Sequence, residues 1–210
     1  MKRIGVMGGT FDPVHYGHLV TAEEARTQFE LSEVLFVPNR YPPHKAIDGV
    51  SDPEHRYRMT LLATATNSHF TVSRIEIDRP GPSYTIDTIL EWRKTYGPRD
   101  LYYITGADAI IQIVRGDWER SGELLTLCQY IAASRPGFPL DVEDLRRYNV
   151  TRTMLDNLHV MEIPALAISS TDIRRRVAAG RPIRYLVPDA VEAYIMKHAL
   201  YRPTEGGLSR

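Results

Sequence analysis

The sequence predicts an α/β protein with a doubly wound, mostly parallel sheet, and two observations predict it. Short β-branched or aromatic runs recur along the chain, and stretches with apolar residues at three- and four-residue spacing separate them. Strands that alternate with helices imply right-handed crossovers and helices on both faces of a parallel sheet. In such a sheet, ligands gather at the carboxyl ends of the strands.

Taken in order, strands are expected at residues 3–7, 33–38, 70–77, 100–105, 128–133 and 159–163. Helices are expected at 17–29, 53–66, 84–96 and 142–148, each with one apolar face; Leu19, Ala22, Ala25 and Phe29 make that face for the first. The C-terminal part differs, because 169–179 and 188–200 predict two helices with no strand between them. Ser170 or Thr171 is the expected N-cap of the first, Gly180 with Pro182 ends it, and Pro188 opens the second. Residues 202–210 are expected to fray. The Pro-rich stretch 38–53 reads as a long loop, and no fixed-period repeat is visible. The organisation expected is one domain over 1–210, with 169–200 as a C-terminal helical extension.

Composition narrows the function. The 210 residues are 43% apolar and 25% charged, enough to bury a core and unlike a disordered chain. Lys plus Arg and Asp plus Glu are 26 each, so no global field draws the chain to nucleic acid or to an anionic membrane. Phosphate binding must be local. The single cysteine, Cys128, excludes an internal disulfide and a Cys-rich zinc site, and sits in an apolar run as a core residue. No apolar run approaches the roughly 20 residues of a membrane span, and MKRIGVMGG leads into the first strand without a cleavable signal. A cytoplasmic location is expected.

The segment GGTFDPVHYGH, Gly8 to His18, follows the first strand directly, where this architecture holds phosphates. It has neither the dinucleotide-binding glycine spacing nor a G-K-[ST] ending. Gly8 and Gly9 let backbone amides approach an anion. His15 and His18 follow three residues apart, and with a helix starting near Tyr16 both fall on its first turn, where the dipole favours negative charge. Two imidazoles with backbone amides suit a polyphosphate. An alternative makes Asp12, His15 and His18 metal ligands. Pro13 stiffens that segment and no further histidine cluster supplies the remaining ligands, so no protein metal site is assigned.

Near the other end, ISSTDIR places Ser169, Ser170 and Thr171 at a predicted helix start, with Arg174 about one turn on. Hydroxyls, orphan amides and a guanidinium together suit terminal phosphates, although S-S-T-D is also an ordinary capping sequence. His69, His159 and His198 lie outside these segments and are read as structural, and Asp172 as a residue that favours its helix start.

Together the two segments make the chain resemble the nucleotidyltransferases with an H-x-G-H motif, and among them the bacterial nicotinate mononucleotide adenylyltransferases. The resemblance spans nearly the whole chain and includes PPHK (42–45), SYTIDT (83–88), GADA (106–109), Trp118 and SRPG (134–137). It implies a Rossmann-like nucleotidyltransferase fold and the joining of ATP to nicotinate mononucleotide, giving deamido-NAD and pyrophosphate. By this resemblance His15 and His18 contact ATP phosphates, and Gly8, Gly9, Thr10 and Phe11 lie against the nucleotide. Gly106 and Asp108 fall near the ribose and adenine, Ser134 and Arg135 at the strand end near the adenine, and Ser169, Ser170 and Arg174 in a second phosphate clamp. Lys45, Tyr84, Thr85 and Trp118 fall to the acceptor.

The chemistry implied is spare. The acceptor phosphate is already ionised, so attack on the α-phosphorus needs no general base and no covalent enzyme intermediate. Catalysis reduces to alignment and to stabilising developing charge, for which His15, His18, Lys45, Arg174 and a Mg²⁺ bound mainly through the ATP phosphates are the candidates. Tyr84 and Thr85 open a helix whose N-terminus favours a carboxylate over a carboxamide, and Trp118 offers an indole to the pyridine ring. The expected partners are these small molecules, with no nucleic acid and no membrane, and a homo-oligomer is left open. The rivals are a sister enzyme acting on phosphopantetheine, or with CTP on an alcohol phosphate, and a nucleotide-sensing module without turnover.

Overall fold

The computed structural model describes residues 2–41, 49–134, 140–141, 145, 147–148, 150–164 and 166–203. Within them six parallel strands form one sheet in the order β3-β2-β1-β4-β5-β6. The strands are β1 (Ile4–Gly9), β2 (Glu33–Pro38), β3 (Phe70–Val72), β4 (Leu101–Gly106), β5 (Gln129–Ser134) and β6 (Leu158–Glu162). The helices are α1 (Tyr16–Gln28), α2 (Pro53–Thr64), α3 (Ile75–Asp78), α4 (Thr85–Arg93), α5 (Ala107–Arg115), α6 (Ser121–Leu127), α7 (Arg152–Asp156), α8 (Ser170–Ala178) and α9 (Asp189–Lys197). This is a doubly wound, Rossmann-like arrangement, as the sequence predicts.

Alternation along the strands sends side chains to two cores. Met7, Val34, Phe36, Ile104 and Ile131 face one layer, with Ala22 and Ala25 of α1, Met59 of α2, Ile173 and Val177 of α8, and Val191 and Ile195 of α9. Val6, Leu35, Tyr103 and Tyr130 face the other, with Ile86 and Ile89 of α4, Ile110 and Ile113 of α5, and Leu124 and Leu125 of α6. The C-terminal helices therefore share the buried layer beside α1 and α2. Cys128 is buried, as expected. Among the described residues no helix is long and apolar enough to cross a membrane.

Three local expectations are corrected. The strand expected at 70–77 stops at Val72; the Ser73 hydroxyl then accepts the Ile75 N–H at 3.2 Å and starts α3, so one apolar pattern served two elements. Helices α5, α6 and α7 were not expected; in α5 the run Ile110, Ile111, Ile113, Val114 has strand-like composition at helical spacing. The cap of α8 is Ser169, whose hydroxyl accepts the Asp172 N–H at 3.2 Å, not Ser170 or Thr171. The helix expected at 142–148 falls largely outside the described residues.

Candidate active site

Strand β1 leads through α1 to β2, and β4 leads through α5 and α6 to β5 on the opposite side of the sheet. The adjacent carboxyl ends of β1 and β4 are thus the point where the winding reverses, the ordinary ligand crevice of such folds. Two cavities open there. The larger, about 730 Å³, is lined by Gly8, His15, His18, Gly106, Asp108, Ser134, Ser169, Ser170 and Arg174. The smaller, about 390 Å³, is lined by Gly8, Gly9, Thr10, Tyr84, Thr85 and Trp118. Gly8 lies on both. A side chain there would meet its own scaffold, because a Cβ at Gly8 would stand 2.5 Å from the Tyr103 hydroxyl.

His15 is the N-cap of α1 in extended backbone, and His18 is on its first turn. The His15 N–H donates to Nδ1 of His18 at 3.3 Å, and the two rings stack with centroids 3.8 Å apart. Since Nδ1 of His18 accepts, its proton resides on Nε2, where it can be donated. Phe11 closes the far side, edge-on to His18 at 5.1 Å and tilted against Phe36 at 5.8 Å.

The loop before α1 is strained and braced. Phe11 has φ 50°, a left-handed conformation that costs a non-glycine residue roughly 1–2 kcal/mol. Bonds from distant parts of the chain hold it there. The buried Arg56 guanidinium donates to the carbonyls of Thr10 (2.8 Å), Asn39 (2.7 Å), Arg40 (2.9 Å) and Ser51 (2.9 Å). Arg174 donates to the Asp12 carbonyl at 2.7 Å, and the Ser170 hydroxyl to the Pro13 carbonyl at 2.9 Å. The Asp12 carboxylate is buried and accepts from the Ser51 N–H at 3.2 Å and the Tyr201 hydroxyl at 2.7 Å. It is thus engaged with the scaffold, and among the described residues no three His, Cys, Asp or Glu side chains form a metal-binding group. ISSTDIR and GGTFDPVHYGH, read as two halves of one site, do meet, with Ser169 spent on its cap and Ser170 and Arg174 bracing the loop while lining the larger cavity.

In the smaller cavity Tyr84 is the N-cap of α4 and Thr85 its first residue, with no side chain capping the helix. The Trp118 indole N–H donates to Oε1 of Gln112 at 3.2 Å, which fixes the ring's tilt. The Thr85 hydroxyl lies 3.4 Å from that of Tyr103. Glu76 is buried beneath, accepting from the Thr88 hydroxyl at 2.6 Å; burial pushes its carboxyl above the usual range, opposed by that bond and by Arg79. Sequence reasoning missed Arg56, Glu76, Tyr103 and Tyr201, each a single residue outside any recognised segment. Lys45 and Arg135, expected at the site, lie outside the described residues.

The sequence profile of the cytidylyltransferase-like family matches residues 6–176, most of the chain and all of this crevice. The chain belongs to the cytidylyltransferase-like family. A probable nicotinate-nucleotide adenylyltransferase of Moorella thermoacetica is 56% identical over 207 residues, covering 98% of this chain and 94% of that protein. A second, from a Thermoanaerobacter species, is 53% identical over 204 residues, with 97% and 96% covered. The cytidylyltransferase-like fold also aligns with Plasmodium falciparum nicotinic acid mononucleotide adenylyltransferase complexed with NaAD at a TM-score of 0.78. That match has 20% identity and covers 96% of this chain and 98% of that one.

Proposed function

We propose that this protein transfers the adenylyl group of ATP to nicotinate mononucleotide, releasing pyrophosphate and forming deamido-NAD for NAD biosynthesis. The observation that carries the proposal is Gly8, the shared wall of two cavities whose linings suit different ligands. ATP fits the larger, with its adenosine toward Gly106, Asp108 and Ser134 and its phosphates toward His15, His18, Ser169, Ser170 and Arg174. Nicotinate mononucleotide fits the smaller, its ring beside Trp118 and its carboxylate at the amino end of α4, near Tyr84 and Thr85.

Over Gly8 an acceptor phosphate oxygen attacks the α-phosphorus from one side while pyrophosphate leaves toward the histidines on the other. One P–O bond forms and one breaks, and no group of the protein is covalently modified. Gly8, Gly9, Thr10 and Phe11 keep backbone close to the reacting phosphate, and Nε2–H of His18 donates to charge that builds as the bond breaks. Lys45 is assigned to the acceptor phosphate and Arg135 to the nucleotide by their motifs. The donors lining the larger cavity are N–H, O–H and guanidinium groups, with Asp108 the one carboxylate among them. Such a lining suits Mg²⁺ held by phosphate and water oxygens with Asp108 nearby; bound there, the ion would neutralise phosphate charge. We also read the chain as one domain, its C-terminal helices completing the phosphate side.

A panel of acceptors with ATP, followed by pyrophosphate release, tests the assignment. Nicotinate mononucleotide should be the best acceptor. Faster release with phosphopantetheine, or nucleotide binding with no release from any acceptor, would instead favour a sister enzyme or a sensor.

A further inference from the structure

The segment after α9 reaches back across the molecule to the loop that presents the histidines. Helix α9 ends with the Leu200 N–H on the Ile195 carbonyl (3.1 Å) and the Ala199 N–H on the Met196 carbonyl (3.3 Å), which reverses the chain. Ala199 has φ 50° and Tyr201 φ 64°, left-handed values usual for glycine, held here by two non-glycine residues in one short turn. What this turn delivers is the Tyr201 hydroxyl, 2.7 Å from Oδ1 of Asp12 and 189 residues away in sequence. Strain at both ends of one hydrogen bond, at Phe11 on the loop and at Ala199 and Tyr201 in the tail, marks a contact over-determined by its surroundings.

We propose that Tyr201, acting through Asp12, is a positioning residue for adenylyl transfer, holding the Phe11–Pro13 loop so that His18 meets the phosphates in register. The inference rests on the function proposed above. Burial beside the Asp12 carboxylate keeps the hydroxyl protonated, well above the ordinary tyrosine range, so it remains a donor. Without it the buried carboxylate retains the Ser51 N–H and the nearby Arg56 charge, and one of the braces against Phe11's strain is gone.

Tyr201→Phe removes one oxygen and keeps the ring. With folding verified by circular dichroism and melting temperature, Y201F should lower kcat at least tenfold and leave KM for the acceptor within about twofold. A kcat equal to wild type overturns the proposal. The second readout is a double-mutant cycle. In a His18→Ala background, Y201F should cost under about threefold, because the group it positions is already absent. A full tenfold loss there would mean that Tyr201 does not act through His18, and would also overturn it. Should Y201F not fold, Asp12→Ala removes the acceptor of the same bond and must show a comparable kcat loss; near-normal D12A turnover is equally decisive. The wild-type rate with each acceptor tests the function, whereas these ratios test positioning with whichever acceptor the wild type uses, so the two failures are distinct.

Discussion

The imidazoles of His15 and His18 lie stacked, with planes 27° apart, while the backbone of the first occupies Nδ1 of the second. Each ring fixes the other, and both line the larger cavity. His18→Ala should therefore lower kcat a hundredfold or more, on the order of 3 kcal/mol of lost transition-state stabilisation, with a smaller change in KM. Steady-state kinetics measures this, and a near-normal kcat would remove the role.

The amino end of α4 offers a test that separates backbone from side chain. Tyr84 is already extended (φ −88°, ψ 129°), the conformation that a following proline requires, and proline is accepted at a first helical position. Thr85→Pro should therefore keep the helix and delete one N–H together with the hydroxyl, and Thr85→Val, which deletes the hydroxyl alone, is its control. The ratio of kcat/KM for nicotinate over nicotinamide mononucleotide should fall several-fold. An unchanged ratio in a folded variant would place carboxylate recognition elsewhere.

Arg56 spans four carbonyls that belong to the loop before α1, the end of β2 and the approach to α2. Lysine keeps the charge but cannot present a planar fork. Arg56→Lys should lose about 2–4 kcal/mol of stability by urea titration, through buried carbonyls left without donors. A loss under about 0.5 kcal/mol would contradict this account.

Glu76 gives stability a pH dependence of definite sign. Its folded carboxyl is raised by burial, so between the unfolded value near 4.3 and the raised folded value the native state retains a proton that the unfolded chain has released. This group's contribution accordingly falls as pH rises through that window and stays lower above it. Glu76→Gln, whose carbonyl can still accept from Thr88, should melt higher than wild type at neutral pH and no higher at acid pH. Equal melting temperatures across the range would count against it.

The parallel sheet and its crevice were legible because they rest on contiguous features: alternating strand and helix patterns, glycines after β1, and histidines and hydroxyls gathered in short runs. His15, His18, Ser169, Ser170 and Arg174 could be named because their types and spacing announce phosphate chemistry. Tyr103 and Glu76 on the wall of the smaller cavity could not, since an isolated tyrosine or glutamate takes its meaning from what folding brings beside it. Arg56 and Tyr201 were hidden for the same reason, their partners lying up to 189 positions away. Helix α5 was missed for a local reason: its isoleucine-rich run has the composition of a strand, and only its spacing marks a helix.

The braces on the Phe11–Pro13 loop also order events in time. A ribosome that has made the first half of this chain has already made both histidines and Arg56, yet not Ser170, Arg174 or Tyr201. The emerging polypeptide thus carries His15 and His18 before the last supports of their loop exist. The loop is fully braced only when the turn at Tyr201 docks onto a segment translated 189 residues earlier.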